Sequence, residues 1–427
     1  MDDLGDTRRF LERHGMLACR FDGLVADLLA EMEAGLAGRP SSLAMIPTWL
    51  APVDRIPAGE PVLAIDAGGT NFRAALVTFG PDGAAVEGFR SAPMPGTAGE
   101  IGRDAFFDAL AGHVADLAVC VSRIGFCFSY PMEILPDRDG RLLRFTKEIR
   151  APEVEGSLIG AGLNEALART GVRGKPTTVL LNDTTATLLA GRSTADDARS
   201  FDGYVGYILG TGTNVAYLES SIPKAPGAAE QIVVLESGGF AIRCRGDLDE
   251  EFDRTTKEPG RYTCEKMHSG GYLGGLALTV LRAAAREGLF SDPAAAALER
   301  MGTLAAKDLS AYLGRPFDAS RPLGAAAAGS ERDRERVYLL LDALVCRAAL
   351  LAAGVLAAAV LKSGRGAFAS RPACIAVDGT TWREVPALAA RAEAALERHL
   401  GEERGRYVRI VLPERAPLMG AAVAALA

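Results

Sequence analysis

One unit of sequence occurs twice, and no other feature restricts the fold of this chain so strongly. The apolar run LAID (63–66) leads into a glycine turn, GGTN (68–71), and a second apolar run; GYIL (206–209) leads into GTGTN (210–214) and then VAYLE. Asn71 and Asn214 close the two copies, 143 positions apart. That spacing is too long for a solenoid and suits a duplicated domain whose halves face each other. At 427 residues the chain also exceeds what one hydrophobic core usually serves, so two lobes around a cleft are expected. The expected division is a small lobe of 62–181 with 413–427 and a large lobe of 1–61 with 182–412.

Between and around these units the pattern is α/β. Buried strands are expected at 62–66, 73–77, 124–128, 179–181 and 204–209, and helices at 156–169 and 184–192. The first 61 residues read as helical and then turn-rich, because Pro40, Pro47, Pro52, Pro57 and Pro61 interrupt any long element; the regular fold is expected to start at Val62. Ala-rich helices are expected at 293–300 and 387–397. The apolar segment 338–362 raises a membrane span, yet Asp342 and Arg347 leave only 348–361 uncharged, short of the roughly 20 residues a bilayer demands. A buried core helix is the expectation there.

Composition then removes several function classes. With 48% hydrophobic and 24% charged residues a sizeable core can form. A net charge of −7 without a Lys/Arg block offers no footprint for nucleic acid or an anionic membrane, so the partner is expected to be a small molecule. Seven scattered cysteines without a CxxC pair argue against a disulfide framework or a zinc site, and His14, His113, His268 and His399 lie too far apart to suggest a metal. The N-terminal stretch lacks the roughly 7–15-residue apolar run of a secretory signal. A cytoplasmic protein is expected.

The chemistry gathers at strand ends. In DAGGTNFR (66–73), Gly68 and Gly69 leave a turn whose amides can point at phosphate oxygens; Asp66 suits a Mg²⁺ held through water, and Arg73 offers a forked donor to phosphate. One glycine turn is weak evidence, but the matching turn at 210–214 would clamp a polyphosphate from the other side. LLNDTTATLLAG (180–191) sets Asn182 and Asp183 where a strand ends and a helix begins, a common ligand position in α/β sheets. Alone, such a residue is more readily a helix cap; beside phosphate turns, Asp183 is a carboxylate able to take the proton of an attacking hydroxyl. GFCFSYP (125–131), FTKEI (145–149), VLESGGF (234–240) and CEKM (264–267) supply Ser129, Thr146, Lys147, Glu236 and Glu265, groups that suit a polyhydroxylated sugar.

These motifs together resemble the hexokinase family, the actin-like-fold hexokinases that include the eukaryotic type. The likeness runs from SSLAMIPTWL (41–50) through LAIDAGGTNFRAALV (63–77), GFCFSYP, NDTTATL, GTGTN and EFDRTTKEPGRYTCEKMHSGGYLG (251–274) to VDGTTW (377–382). It implies a duplicated actin-like (ribonuclease H-like) fold and ATP-dependent phosphorylation of a hexose, glucose at its 6-hydroxyl being the first expectation, with Mg²⁺ and a place in glycolysis. By resemblance Asp183 is the general base and a sugar contact, with Lys147 and Arg73 beside it in catalysis. Ser129, Thr146, Lys147, Asn182, Gly212, Asn214, Glu236 and Glu265 match sugar contacts. Asp66, Gly68, Gly69, Thr70, Asn71, Arg73 and Thr211 match the phosphate and Mg²⁺ region, and Gly379 and Thr380 the nucleotide loop. Hexose and nucleotide are the implied partners, and the chain is expected as a monomer or homodimer.

The chain departs from that pattern at Tyr262, where the family has glutamine; at Glu258, in place of asparagine; and at Ser237, in place of tryptophan. PERAPLMGAA (413–422) also lacks the family's serine. Three alternatives stay open on sequence: a repressor-related glucokinase, although its Cys-rich zinc motif is missing; a catalytically weak sugar sensor; and an actin- or chaperone-like ATPase.

Overall fold

The computed structural model describes residues 3–51, 55–145, 149–193, 201–227 and 229–427. Its frame is two sheets of identical order. After the short strand β1 (Ile46–Pro47), the chain forms β2 (Pro61–Gly68), β3 (Asn71–Gly80), β4 (Gly83–Pro93), β5 (Arg123–Phe128), the small hairpin β6 (Met132–Ile134) and β7 (Gly140–Leu142), and β8 (Thr177–Leu181). The second half supplies β9 (Gly203–Leu209), β10 (Thr213–Glu219), β11 (Gln231–Val234), β12 (Ala373–Asp378) and β13 (Val408–Val411). The first sheet runs β4-β3-β2-β5-β8 and the second β11-β10-β9-β12-β13, with β1 added at the β11 edge. In each, three antiparallel strands are followed by two parallel ones. The duplication read from two glycine turns therefore extends to both sheets, as a two-lobed α/β fold.

The strands expected at 62–66, 73–77, 124–128, 179–181 and 204–209 all lie inside observed strands. They read as continuous apolar runs because both faces of each sheet are covered. In β2, Leu63, Ile65 and Ala67 pack under the helices Arg103–Ala118 and Ile159–Arg169. Val62 and Ala64 face the other way, onto the C-terminal helix Ala416–Ala425 and the helix Asp183–Ser193. The second sheet divides likewise: Val205, Tyr207 and Leu209 belong to the core around the long helix Glu331–Ser363, whereas Ala216, Leu218 and Cys374 join the inter-lobe core. Since side chains alternate along a strand, Asp66 and Asp378 fall on the inter-lobe face of their strands.

Two helices therefore sit between the lobes, and they touch through glycine. A Cβ on Gly420 would lie 1.8 Å from the Ala186 carbonyl oxygen, and one on Gly206 2.4 Å from that of Thr184. The same small-residue logic brings the C-terminal helix onto β5, where a Cβ on Gly125 would meet the Ala421 carbonyl at 1.8 Å.

The apolar segment 338–362 lies within the helix Glu331–Ser363, started by Ser330 accepting from the Asp333 amide (3.2 Å) and ended at Gly364 with φ 69°. By length and composition it could cross a membrane, but 83% of its most apolar stretch is buried inside the protein. Its interrupting charges are paired there, Arg347 bidentately with Asp249 (2.8 and 2.7 Å) and Asp342 with Arg391 (2.7 Å).

Two expectations are corrected. The start of the chain is helical as expected, at Asp3–Arg13 and Phe21–Leu36, but these helices already belong to the packed fold rather than preceding it, with Phe10, Leu28 and Met32 fully buried. Cysteines are also cross-linked, in one bond between Cys19 and Cys244, 225 residues apart; their scatter in sequence hid a pairing made only by the tertiary fold. Cys120, Cys127, Cys264, Cys346 and Cys374 are free thiols.

Candidate active site

The floor of the cleft is set by the two strand ends that face between the lobes. Asp66 stands opposite Arg73 in the β2–β3 register and accepts from its Nη1 at 3.0 Å. The carboxyl is 5% exposed. Burial pushes its pKa up to about 6; Arg73 opposes the shift, while Asp183 and Asp378 add to it. Asp183 and Asp378 thus add negative charge near Asp66, whose carboxyl oxygens are hard donors of the kind that suits Mg²⁺ held through water.

The turn after Asp66 is tight because Gly69 takes φ 67°. Its carbonyl accepts the Tyr130 hydroxyl at 2.5 Å. Ser129 is equally near: a Cβ on Gly68 would sit 3.3 Å from Ser129 Oγ and 3.4 Å from Asp66 Oδ1. Thr70 and Asn71 complete the turn, Thr70 accepting from the Met94 amide at 2.9 Å.

At the end of β8, Asn182 performs the capping function. Its Oδ1 accepts from the Thr185 amide at 2.8 Å and its carbonyl from the Ala186 amide at 2.9 Å. Asp183 is the first residue of the helix, so its carboxylate is not consumed as the cap; its Oδ1 accepts the Thr184 hydroxyl at 3.2 Å. The charge of Asp183 reaches Asp66, Glu236 and the buried thiol of Cys127, raising the pKa of each further after burial has done so first.

A cavity of about 280 Å³ opens beside it, walled by Ser129, Tyr130, Asn182, Asp183, Asn214 and Glu236, with Thr48 and the apolar Ile46, Met132, Ile134, Leu143 and Val234. Asn214 orders its far wall, donating from Nδ2 to Glu236 Oε1 at 2.7 Å and accepting from the Val215 and Ser237 amides (2.8 and 3.3 Å). Glu236 adopts φ 57°. Burial raises its pKa, Asn214 opposing and Asp183 adding. Glu265 stands behind this wall: its Oε2 accepts from the Thr213 amide at 3.0 Å, and Cβ atoms on Gly212 or Gly238 would come within 2.7 and 2.9 Å of that oxygen.

A second cavity, about 150 Å³, is bordered by Thr211, Gly270, Lys307, Ser310, Thr380, Thr381 and Glu384. Gly379, the residue before Thr380, takes φ 123°, with its amide on Asp378 Oδ1 at 2.8 Å; a side chain there would strike the Leu209 carbonyl at 2.3 Å. The Gly210 carbonyl accepts from the Gly270 amide (2.8 Å) and the Thr381 hydroxyl (2.7 Å), tying the second glycine turn to this loop.

The fold thus unites Ser129, Asn182, Asp183, Asn214 and Glu236 around one cavity, Asp66 and Arg73 beside it, and Thr211 and Thr380 around another. Thr146 and Lys147 lie outside the described residues. Sequence reasoning missed Asp378, although IAVD ends an apolar strand in a carboxylate as LAID does. It also missed Tyr130 and Thr48, and Lys307 and Ser310, which a helix with no distinguishing motif carries.

Comparisons with known proteins find one family along nearly the whole chain. Two family models described as hexokinase match residues 7–193 and 204–427. The chain is 30% identical over 450 residues to Hexokinase-1 of Oryza sativa subsp. japonica, across 96% of this chain and 88% of that protein. It is 30% identical over 441 residues to Hexokinase-1 of Spinacia oleracea, across 94% and 86%. A solved hexokinase from Schistosoma mansoni complexed with glucose aligns over the full length of both chains with a TM-score of 0.76 at 23% identity.

Proposed function

This chain belongs to the hexokinase family of sugar phosphotransferases, and on that premise we propose that it transfers the γ-phosphoryl group of ATP to the 6-hydroxyl of glucose with Asp183 as general base. The observation that carries this reading is the single cavity in which Asp183 meets Ser129, Asn182, Asn214 and Glu236 while lying near enough to Asp66 to perturb its ionisation.

In this scheme Ser129, Asn182, Asn214 and Glu236, with Glu265 and the Gly212 backbone behind them and Thr146 and Lys147 from the small lobe, hold the sugar hydroxyls. Each hydroxyl both donates and accepts, and mixed carboxylate, amide and hydroxyl groups serve both needs. The Asp183 carboxylate takes the proton of the 6-hydroxyl as that oxygen attacks phosphorus, a contribution of roughly 10²–10⁴-fold. Positioning and charge neutralisation supply the remainder.

The amides of the Gly68–Asn71 and Gly210–Asn214 turns, with Arg73, Thr211, Gly379 and Thr380, hold the polyphosphate. Asp66 would hold Mg²⁺ through water, with Asp378 nearby, and the ion when bound offsets phosphate charge. The lobes 62–181 plus 413–427 and 1–61 plus 182–412 are proposed to close on the sugar and exclude competing water. A cytoplasmic monomer or homodimer feeding glycolysis completes the proposal.

Coupled ADP release with glucose, mannose, fructose, glucosamine and N-acetylglucosamine, with and without Mg²⁺, tests it. Sugar- and Mg²⁺-dependent turnover is expected. Saturable glucose binding without turnover would make the protein a sensor, and sugar-independent ADP release would make it an ATPase.

A further inference from the structure

We propose that Asp253 is a positioning residue that sets the orientation of the sugar-side carboxylate Glu265 by gripping its neighbour Lys266, an inference that rests on the sugar-kinase reading above. Lys266 is 4% exposed. Its Nζ donates to Asp253 Oδ1 at 2.5 Å and to the Glu258 carbonyl at 2.6 Å. Asp253 is itself buried, and its second oxygen accepts from the Gly260 amide (2.8 Å) and Arg245 Nη2 (3.0 Å). Burial alone would raise its pKa, yet Lys266, the Gly260 amide and Arg245 hold the carboxyl below its usual range. Asp253 is thus a charged hub joining three separate stretches of chain.

What the hub holds is short, and all of its residues but Glu265 are buried. Glu265 and Lys266 are consecutive residues of a six-residue helix, Thr263–His268, entered through Tyr262 at φ 54°. A helix of that length has almost no stability of its own, so its rotation is fixed by what its side chains touch. Successive residues project about 100° apart, so anchoring Lys266 on one side fixes where Glu265 points. Glu265 needs that accuracy, because its Oε2 sits in a slot between Gly212 and Gly238, on the Thr213 amide. A buried ammonium without its carboxylate would turn towards water and carry Glu265 out of the slot. Arg245 follows Cys244, bonded to Cys19, so the hub is also anchored to the N-terminal segment.

The test is steady-state kinetics and sugar titration on Asp253→Asn, Glu265→Gln and the double variant in the full chain. Expected for Asp253→Asn is a hexose KM and Kd raised about tenfold or more, with kcat and the ATP KM within about twofold, the signature of lost uniform binding. Adding Glu265→Gln should produce little further loss, since both act through one carboxylate, and Asp253→Glu should recover part of the affinity. Additive penalties, equal falls in kcat and affinity, or an unchanged hexose KM in the folded variant would overturn the proposal. If Glu265→Gln alone leaves sugar affinity intact, the role given to Glu265 and Asp253 fails, whereas the Asp183 reading fails only if the parent protein shows no sugar-dependent turnover, which separates the two failures. Should Asp253→Asn not fold, Arg245→Met decides: a hexose KM raised a few-fold at constant kcat supports the hub, and an unchanged KM refutes it.

Discussion

Replacing Gly212 by alanine adds one methyl group, and its effect follows from two distances. The new Cβ would lie 2.7 Å from Glu265 Oε2, closer than real Cβ contacts, so the carboxylate end of that side chain must shift. Gly212 has an ordinary φ, so alanine brings no backbone strain and the perturbation falls on Glu265 alone. Displacing Glu265 breaks its bond with the Thr213 amide (3.0 Å). Hydrogen bonds to charged groups contribute about 1.5–3 kcal/mol; a displaced Glu265 that gives up one such bond to a sugar hydroxyl weakens the hexose complex roughly 10- to 100-fold, at about 1.4 kcal/mol per decade. Calorimetric titration of glucose, with the KM for ATP as control, reads this directly. A folded Gly212→Ala protein that binds glucose as tightly as the parent would refute the reasoning, because Glu265 would then have no part in sugar recognition.

Other outcomes are equally specific. His268 is fully buried with Nδ1 on the Cys264 carbonyl (2.7 Å), and burial lowers its pKa from 6.5 to about 4. The unfolded chain then binds the extra proton first, so stability is whole above pH 6.5 and falls towards pH 4 by about 3 kcal/mol; urea unfolding across that range should show a shallower decline for His268→Asn, and parallel curves would contradict it. Gly420→Ala places a Cβ 1.8 Å from the Ala186 carbonyl and should cost about 3 kcal/mol, whereas Gly112→Ala, in open space on a helix, should gain about 0.5–1 kcal/mol; equal effects would refute the helix crossing. Alkylation of denatured protein purified without reductant should count the five free thiols, and two more after reduction; the full set before reduction would exclude the Cys19–Cys244 bond.

How much was legible in the sequence depended on whether the cause was local. The strands around 63–66 and 206–209 could be read because each apolar run ends in a glycine turn and the same unit occurs twice. Asp183 was legible as a strand-end carboxylate, but that Asn182 rather than Asp183 caps the helix was decided by side-chain geometry. The helix expected from 156 begins at Ile159 because its cap comes from elsewhere: Asp139 accepts from the Gly160 and Ala161 amides (2.7 and 2.9 Å). The Cys19–Cys244 bond, the Asp253–Lys266 pair and the Gly420–Ala186 contact are long-range products of folding and leave no periodic trace. The start of the chain read as helical, but the burial of Leu24, Leu28 and Met32 in the main core depends on packing against the long helix Glu331–Ser363 and carries no local signal.

The general-base assignment meets its most direct test in Asp183→Asn, which keeps the volume of the side chain and removes only the proton acceptor. Glucose Kd should stay within about threefold while kcat falls by roughly 10²–10⁴-fold. A kcat within about fivefold of the parent, or a loss of rate explained wholly by lost glucose binding, would contradict the role given to Asp183.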